Sequence, residues 1–424
     1  VAEIHRPLEF PFSDHHALLL SRGEILRVET KSEFERYLVE VSEIADSNGN
    51  VWATRNFQAL VTANGTLANV GDIVEIPCQW RRIANRQGYT FDYAAMMRSK
   101  GILYRQSVGS RHFKVTGHRW SLRAASAACL NRFEAAIEKC SLSRDGKGLV
   151  MAMLCGDRSY LSPEIAPAFS RVGLAHMLAL SGLHIAIIGA IILWLLFPLN
   201  FTGHYKWRYI GALCAIWLFV VATGSPTSAV RAALMTTLCL SGKILERRGS
   251  PLNALLGAAF LIALLQPVAV HDVGAQLSFL CVGSLVVFGA PLNAVSHHVH
   301  PRLYKLNMAV LTCLVATIAT WAVTGYYFGQ LPLLFLPVNM LVTPLLPLFM
   351  GGALLYIIMC WIGFDFSPLA WGISRCSELI ESGASWVAAL PGSSIAYQPT
   401  PAIVVCWSLL LLLFAITLLR KKSC

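Results

Sequence analysis

Charge is scarce in this sequence. Asp, Glu, Lys and Arg supply 13% of its 424 residues, about half of the roughly 25% carried by a soluble domain. With 55% hydrophobic residues and a mean hydropathy of +0.57, this excludes a wholly soluble chain. It points to a polytopic membrane protein with a soluble portion attached. Acidic charge is scarcer still, 23 Asp and Glu against 34 Lys and Arg, for a formal charge of +11. The excess favours anionic partners, lipid headgroups or nucleic acid, or else cytoplasmic loops. The 12 cysteines include no Cys-x-x-Cys and no Cys/His metal spacing, which argues against zinc. Cys214, Cys239, Cys281, Cys313, Cys360 and Cys406 sit in apolar runs, where a thiol serves as a small packing group. No Walker motif occurs, so any motive force must come from elsewhere. Residues 1–20 hold neither a signal peptide nor a spanning stretch. Either the soluble part is cytoplasmic or an anchor precedes this chain.

Residues 1–119 read as short strands separated by turns. Gly23–Glu29, Phe34–Ile44, Phe57–Thr62, Val70–Trp80, Ile102–Val108 and His112–Val115 carry the strand signal. Asp46-Ser-Asn-Gly-Asn50 and Asn64-Gly65 carry the turn signal. Such spacing suggests a small sandwich or barrel, and the size fits an OB-type barrel. Toward its end this part turns basic, with Arg81, Arg82, Arg86, Arg98, Lys100 and Arg105 interleaved with Tyr89, Phe91 and Tyr104. Phosphate contacts and base stacking on such a stretch would bind single-stranded nucleic acid. The plainer alternative is a solvated face beside anionic headgroups.

Residues 120–170 form a helical connector. Trp120–Lys139 repeats apolar residues at three and four and would lie on the membrane as an amphipathic helix. Next comes Arg171-Val-Gly-Leu-Ala-His-Met-Leu-Ala-Leu-Ser-Gly-Leu-His-Ile-Ala-Ile-Ile-Gly189, at the start of the membrane part, residues 171–424. His176 and His184 are eight apart, which on one helix sets them within about 80° of each other. Ser181 and Gly182 between them would bend or unwind that helix.

Spanning runs are 172–198, 207–223, 228–245, 252–266, 274–292 and 306–328, the fourth being short. A proline-interrupted run (331–362), a weakly amphipathic stretch (367–389) and a last span (401–419) follow. Lys and Arg occupy alternate loops: Lys206 and Arg208, then Lys243, Arg247 and Arg248, then Arg302 and Lys305. That alternation places the soluble part outside the cytoplasm. Polar residues within the runs are costly and mark function more often than not. Those singled out as lining or gating a passage are His176, Ser181, Gly182, His184, Arg231, Asp272, Gln276 and Asn339. Arg231 would otherwise snorkel to the interface, and Asp272 would cap a helix.

Gly173-Leu-Ala-His-Met-Leu-Ala-Leu-Ser-Gly-Leu-His184 resembles the long signature of the ComEC family, the inner-membrane DNA-uptake channels of transformable bacteria. Gly224-Ser-Pro-Thr-Ser-Ala-Val-Arg-Ala232, Asp272-Val-Gly-Ala-Gln-Leu-Ser-Phe279 and Pro337-Val-Asn-Met-Leu-Val-Thr-Pro344 resemble its later motifs in order. Phe91–Ile102 resembles the end of its extracytoplasmic OB-like domain, and Gly156-Asp157-Arg158 also fits. The resemblance implies a multi-pass protein of the bacterial inner membrane that passes one DNA strand. Its partners would be single-stranded DNA, the lipid bilayer, other DNA-uptake proteins and further copies of itself; no cofactor is implied. Family members usually have spanning helices ahead of the OB-like domain, and many end in a metallo-β-lactamase-like domain proposed as a nuclease. This sequence has neither, so a fragment or short form is expected, and catalysis is not.

Two other classes remain in play. Ser181 and His184 would suit a nucleophile–base pair with Asp157 or Asp272 as orienter, or the two histidines a metal. A small-anion or lipid transporter with a regulatory soluble domain is the third class.

Overall fold

The computed structural model describes residues 20–30, 34–45, 51–53, 56–64, 68–85, 93–99, 101–178, 180–202, 204–247, 249–265, 267, 272–298 and 300–423. The chain divides into two compact units, Val1–Cys129 and Leu130–Cys424.

The first unit is built on one sheet. Its strands are β1 (Leu20–Thr30), β2 (Glu35–Ala45), β3 (Val51–Ala53), β4 (Phe57–Ala63), β5 (Asp72–Pro77), β6 (Arg81–Arg82), β7 (Ile102–Val108) and β8 (Lys114–His118), with helix α1 (Tyr93–Ser99) before β7. The order is β6-β7-β4-β2-β1-β5-β8, with β3 on β2. All pairs are antiparallel except β4 with β7. Period-two alternation sends Ile25, Tyr37, Val39, Val41, Val61, Val74 and Ile76 into one core. Gly71 makes the turn into β5 with φ +92°. There its N–H bonds the Ile25 carbonyl at 2.8 Å, and its own carbonyl accepts from Arg119 N–H at 2.7 Å.

The expected OB-like barrel is overturned: among the described residues no sheet closes. Closure needs the two edge strands to pair at a fixed stagger. Here the edges are the two-residue β6 and the five-residue β8, and each pairs on one side alone. Bulges at Arg22/Gly23 and Ile25/Arg27 bend the β1–β2 pair without bringing the edges together.

The second unit is helical. Helix α2 (Leu122–Lys139) runs into it, followed by α3 (Arg144–Val150), a π-turn at Met151–Cys155, α4 (Ile165–Arg171) and a 3-10 turn at Ala175–Leu178. Then come α5 (Gly182–Leu195), α6 (Tyr205–Ala222), α7 (Thr227–Ile244), α8 (Pro251–Leu265), α9 (Val273–His297) and α10 (Tyr304–Phe328). The chain ends with β9 (Gln330–Pro332), α11 (Phe335–Val342), α12 (Leu345–Trp361), α13 (Ser367–Ala389), β10 (Ser394–Ala396) and α14 (Pro401–Ser423). Helices α6, α9 and α10 are long and apolar enough to cross a membrane; α11 and α12, bent by 41°, make a fourth if they count as one span. Helices α5, α8 and Pro401–Thr417 are shorter apolar helices. The protein is membrane-embedded. Its main core joins Leu149–Cys155, every residue 6% exposed or less, to Phe169, Ile188, Phe349, Tyr356, Ile373 and Ile380.

Candidate passage at the first turns of three helices

The run expected over 172–198 is not one helix. Gly173, at φ +82°, ends the turn after α4, and the 3-10 turn intervenes before α5. An added Cβ at Gly173 would meet Phe335 and Pro332 at 3.1 Å, so only glycine fits here without strain. His176 therefore lies on the 3-10 turn, where Nδ1 is 3.1 Å from the Gly173 carbonyl. The 80° relation between the histidines, which presumes a single helix, does not hold.

Ser181 is the N-cap of α5. Its backbone N–H donates to His184 Nδ1 at 2.9 Å, and its hydroxyl lies 3.1 Å from the same nitrogen. His184, 1% exposed, thus takes the place that Glu or Gln holds in a capping box. Two side chains from elsewhere grip the carbonyls just ahead of the cap. Arg158 Nε donates to the Leu178 carbonyl at 2.6 Å, and Ser228 Oγ, on the first turn of α7, donates to the Leu180 carbonyl at 2.5 Å. An added Cβ at Gly182 would sit 3.7 Å from Ala232 Cβ. The N-terminal ends of α5 and α7 are in contact there, over a cluster of Leu180, Ile185, Ile216, Val220, Ala229 and Ala233.

Arg231, 5% exposed, does not snorkel. Its Nη1 donates to Asp272 Oδ2 at 3.2 Å, and the same oxygen accepts the Ala275 N–H at 3.1 Å. Asp272 therefore caps α9 and ties it to α7. Gln276, half-buried, continues the first turn of α9, its N–H on the Asp272 carbonyl at 3.0 Å. Asn339 stands apart: its Nδ2 donates to the Phe335 carbonyl of its own helix at 2.8 Å. The structure thus joins the N-terminal end of α5, which carries Ser181, Gly182 and His184, to α7 at Ala232 and Ser228, and joins Arg231 of α7 to Asp272 at the start of α9, whose first turn carries Gln276. It leaves His176 and Asn339 outside that group. Arg158 and Ser228 escaped the candidate set although both lie inside quoted motifs; the signal for each was its place in the motif.

The hydrolase arrangement receives little from this geometry. His184 Nδ1 already accepts the Ser181 N–H. Of the two orienters, Asp272 holds Arg231, and Asp157 accepts from Ser159 N–H and Oγ at 2.9 and 2.8 Å. Among the described residues no group of three or more His, Cys, Asp or Glu is placed to hold a metal ion.

In the sheet unit, Arg81 and Arg82 are exposed on β6, opposite Arg105 and Tyr104 of β7. Arg105 is exposed, whereas Tyr104 is 2% exposed and packs edge-to-face on Phe57 at 5.4 Å. Tyr104 is a core residue and offers no ring to a base. Arg98 is exposed, with Nε on the Ala94 carbonyl of its own helix at 3.3 Å. Arg86, Tyr89, Phe91 and Lys100 lie outside the described residues.

A family model described as Competence protein matches residues 153–422. The chain is 30% identical over 219 residues to "ComE operon protein 3" of Bacillus subtilis, covering 50% of this chain and 27% of that protein. It is 28% identical over 284 residues to "Competence protein ComA" of Neisseria gonorrhoeae, 63% of this chain and 38% of that protein. A third relative, "Recombination protein 2" of Haemophilus influenzae, is 26% identical over 149 residues, 34% and 19% of the two chains. The chain therefore spans well under half the length of these curated relatives. No solved structure matches.

Proposed function

We propose that this chain, which belongs to the competence-protein family, helps carry a single strand of DNA across the bacterial inner membrane. The observation that carries the proposal is a run of contacts along three helix N-termini: α5 meets α7 at Gly182–Ala232 and Leu180–Ser228, and α7 meets α9 through Arg231 and Asp272. Helix N-termini present positive potential and free N–H groups. Asp272 answers Arg231 and caps α9, while the first turns of α5 and α7 carry no acidic side chain, which suits an anionic polymer. A strand bearing a phosphate per nucleotide cannot enter about 30 Å of hydrocarbon without such a lining. The sheet unit supports the same reading. Arg81 directly faces Arg105 across β6–β7, a like-charge pair that is destabilising by itself and is relieved by a polyanion. DNA, the bilayer, other DNA-uptake proteins and further copies of the chain are its proposed partners.

The test is DNA uptake in a host whose own gene carries Arg231→Lys or His184→Gln, with protein level followed by immunoblot. Uptake should fall at least tenfold at unchanged protein level. Wild-type uptake in both variants would refute the proposal.

A further inference from the structure

Helix α13 lies outside the candidate spans, yet it carries a polar seam into the main core. Ser374, Ser377 and Glu381 recur at three and four and so share one face. Ser377 is fully buried, Ser374 9% exposed and Glu381 7% exposed. Ile380 and Ala384, on either side of Glu381, belong to the apolar core.

The seam faces the start of α3. Ser143, the N-cap of α3, takes the Gly146 N–H on its hydroxyl at 3.1 Å and gives its own N–H to Ser374 Oγ at 3.0 Å. A Cβ added at Gly146 would lie 3.1–3.4 Å from the hydroxyls of Ser143, Ser374 and Ser377. Three hydroxyls thus converge where α3 meets α13. The hydroxyl hydrogen of Ser377 is spent on the Ser374 carbonyl at 2.8 Å. Glu381 Oε1, completely buried, has no hydrogen-bond partner among the described residues.

The charges around Glu381 are of the wrong sign for a carboxylate. From α3 comes Asp145, and from its own helix Glu378, whose partner is Arg375 at 2.5 Å. The cations of α3 are engaged or exposed: Lys147 Nζ donates to the Glu138 carbonyl at 2.7 Å, and Arg144 is exposed. Helix α12 carries no charged residue, and its Tyr356 hydroxyl serves Asp365, sixteen residues before Glu381. Helix α4 contributes only Arg171, exposed at its last turn. An ionised carboxylate buried without a partner is costly, and the group neutralises instead.

We propose that Glu381 is a proton-binding site of the helical unit: its carboxyl is protonated when α13 is docked on α3, and loss of the proton loosens that contact. Burial, then Asp145 and then Glu378, push the carboxyl up to about 7, so the site changes state near neutral pH. The folded protein holds this proton more tightly than the unfolded chain does. Its stabilising contribution is therefore complete below the ordinary carboxylate range, near 4.5, and is lost as pH rises toward 7. This inference does not depend on DNA being the cargo.

The test is infrared spectroscopy of the full chain in lipid nanodiscs across pH 5–8, wild type against Glu381→Gln, with thermal unfolding on the same samples. A protonated-carboxyl band that titrates near pH 7 should appear in wild type and be weaker in E381Q, the remainder belonging to Glu134, whose carboxyl burial, Asp157 and Glu138 also push up to about 7. The wild-type unfolding midpoint should drop over the same range, and the E381Q midpoint should change less. Should E381Q fail to fold, Glu381→Asp must shift the band's midpoint. A wild-type spectrum without the band at pH 6, or a band of undiminished intensity in E381Q, would overturn the proposal. So would a wild-type band abolished at fixed pH by magnesium, calcium or sodium ions, which would make the seam a metal-cation site.

Discussion

In the sheet unit Arg81, Arg82 and Arg105 stand in solvent on an edge, whereas in the helical unit Arg231 is 5% exposed and held by Asp272. The same side chain has opposite duties. On the sheet, charge is hydrated, its mutual repulsion is only a small cost to folding, and it is available to a partner. In the bundle, charge has been taken from water and its bond to another helix becomes part of the fold. Core substitutions should therefore hurt most, charge removal in the bundle next, and charge removal on the sheet least.

Phe169→Ala should have the largest effect. The ring is fully buried in the main core, and losing it should cost about 3–5 kcal/mol, read as a lower unfolding temperature of the purified protein. Arg231→Ala should cost about 2–3 kcal/mol, less than a fully buried pair would because the Asp272 side chain is 39% exposed. Size-exclusion chromatography in detergent should show reduced folded protein, with Arg231→Lys recovering part of it. If R231A were as stable as wild type, the contrast between the units would collapse.

Replacing Arg81, Arg82 and Arg105 together by Gln should change stability by less than about 0.5 kcal/mol. Binding to single-stranded DNA should nevertheless weaken, with a salt slope about 2 smaller if all three touch phosphate. An unaltered slope in fluorescence-anisotropy titrations would remove the sheet edge from the DNA path.

Much of this was legible in the residues. The Ile102–Val108 strand and the C-terminal end of the Trp120–Lys139 helix fall where alternation and the 3.6 period place them. Apolar runs likewise mark α6, α9 and α10. Barrel closure was not legible, because it depends on whether two edges meet, and strand count and turn spacing are the same for open and closed sheets. The break after α4 was legible in part: Ser181-Gly182 was expected to bend or unwind the run and α5 does start there, but the turn at Gly173 lies in a run whose hydropathy is continuous. Tyr104 looked like a stacking platform because it sits among arginines, but the strand's alternation turns it inward while Arg105 turns out. The motif residues were expected to line one passage; which of them pair was not legible, since Arg231 and Asp272 are forty-one positions apart.

The meeting of α5 and α7 can be tested directly. Cysteines placed at Gly182 and Ala232 would have Cβ atoms about 3.7 Å apart, within the spacing of a disulfide. With the native cysteines replaced by serine or alanine, mild oxidation of the membrane-embedded chain should join α5 to α7, seen as a linked peptide pair by mass spectrometry and lost on reduction. Folded protein that yields no such pair would contradict the meeting of these helix ends, and with it the passage proposed there.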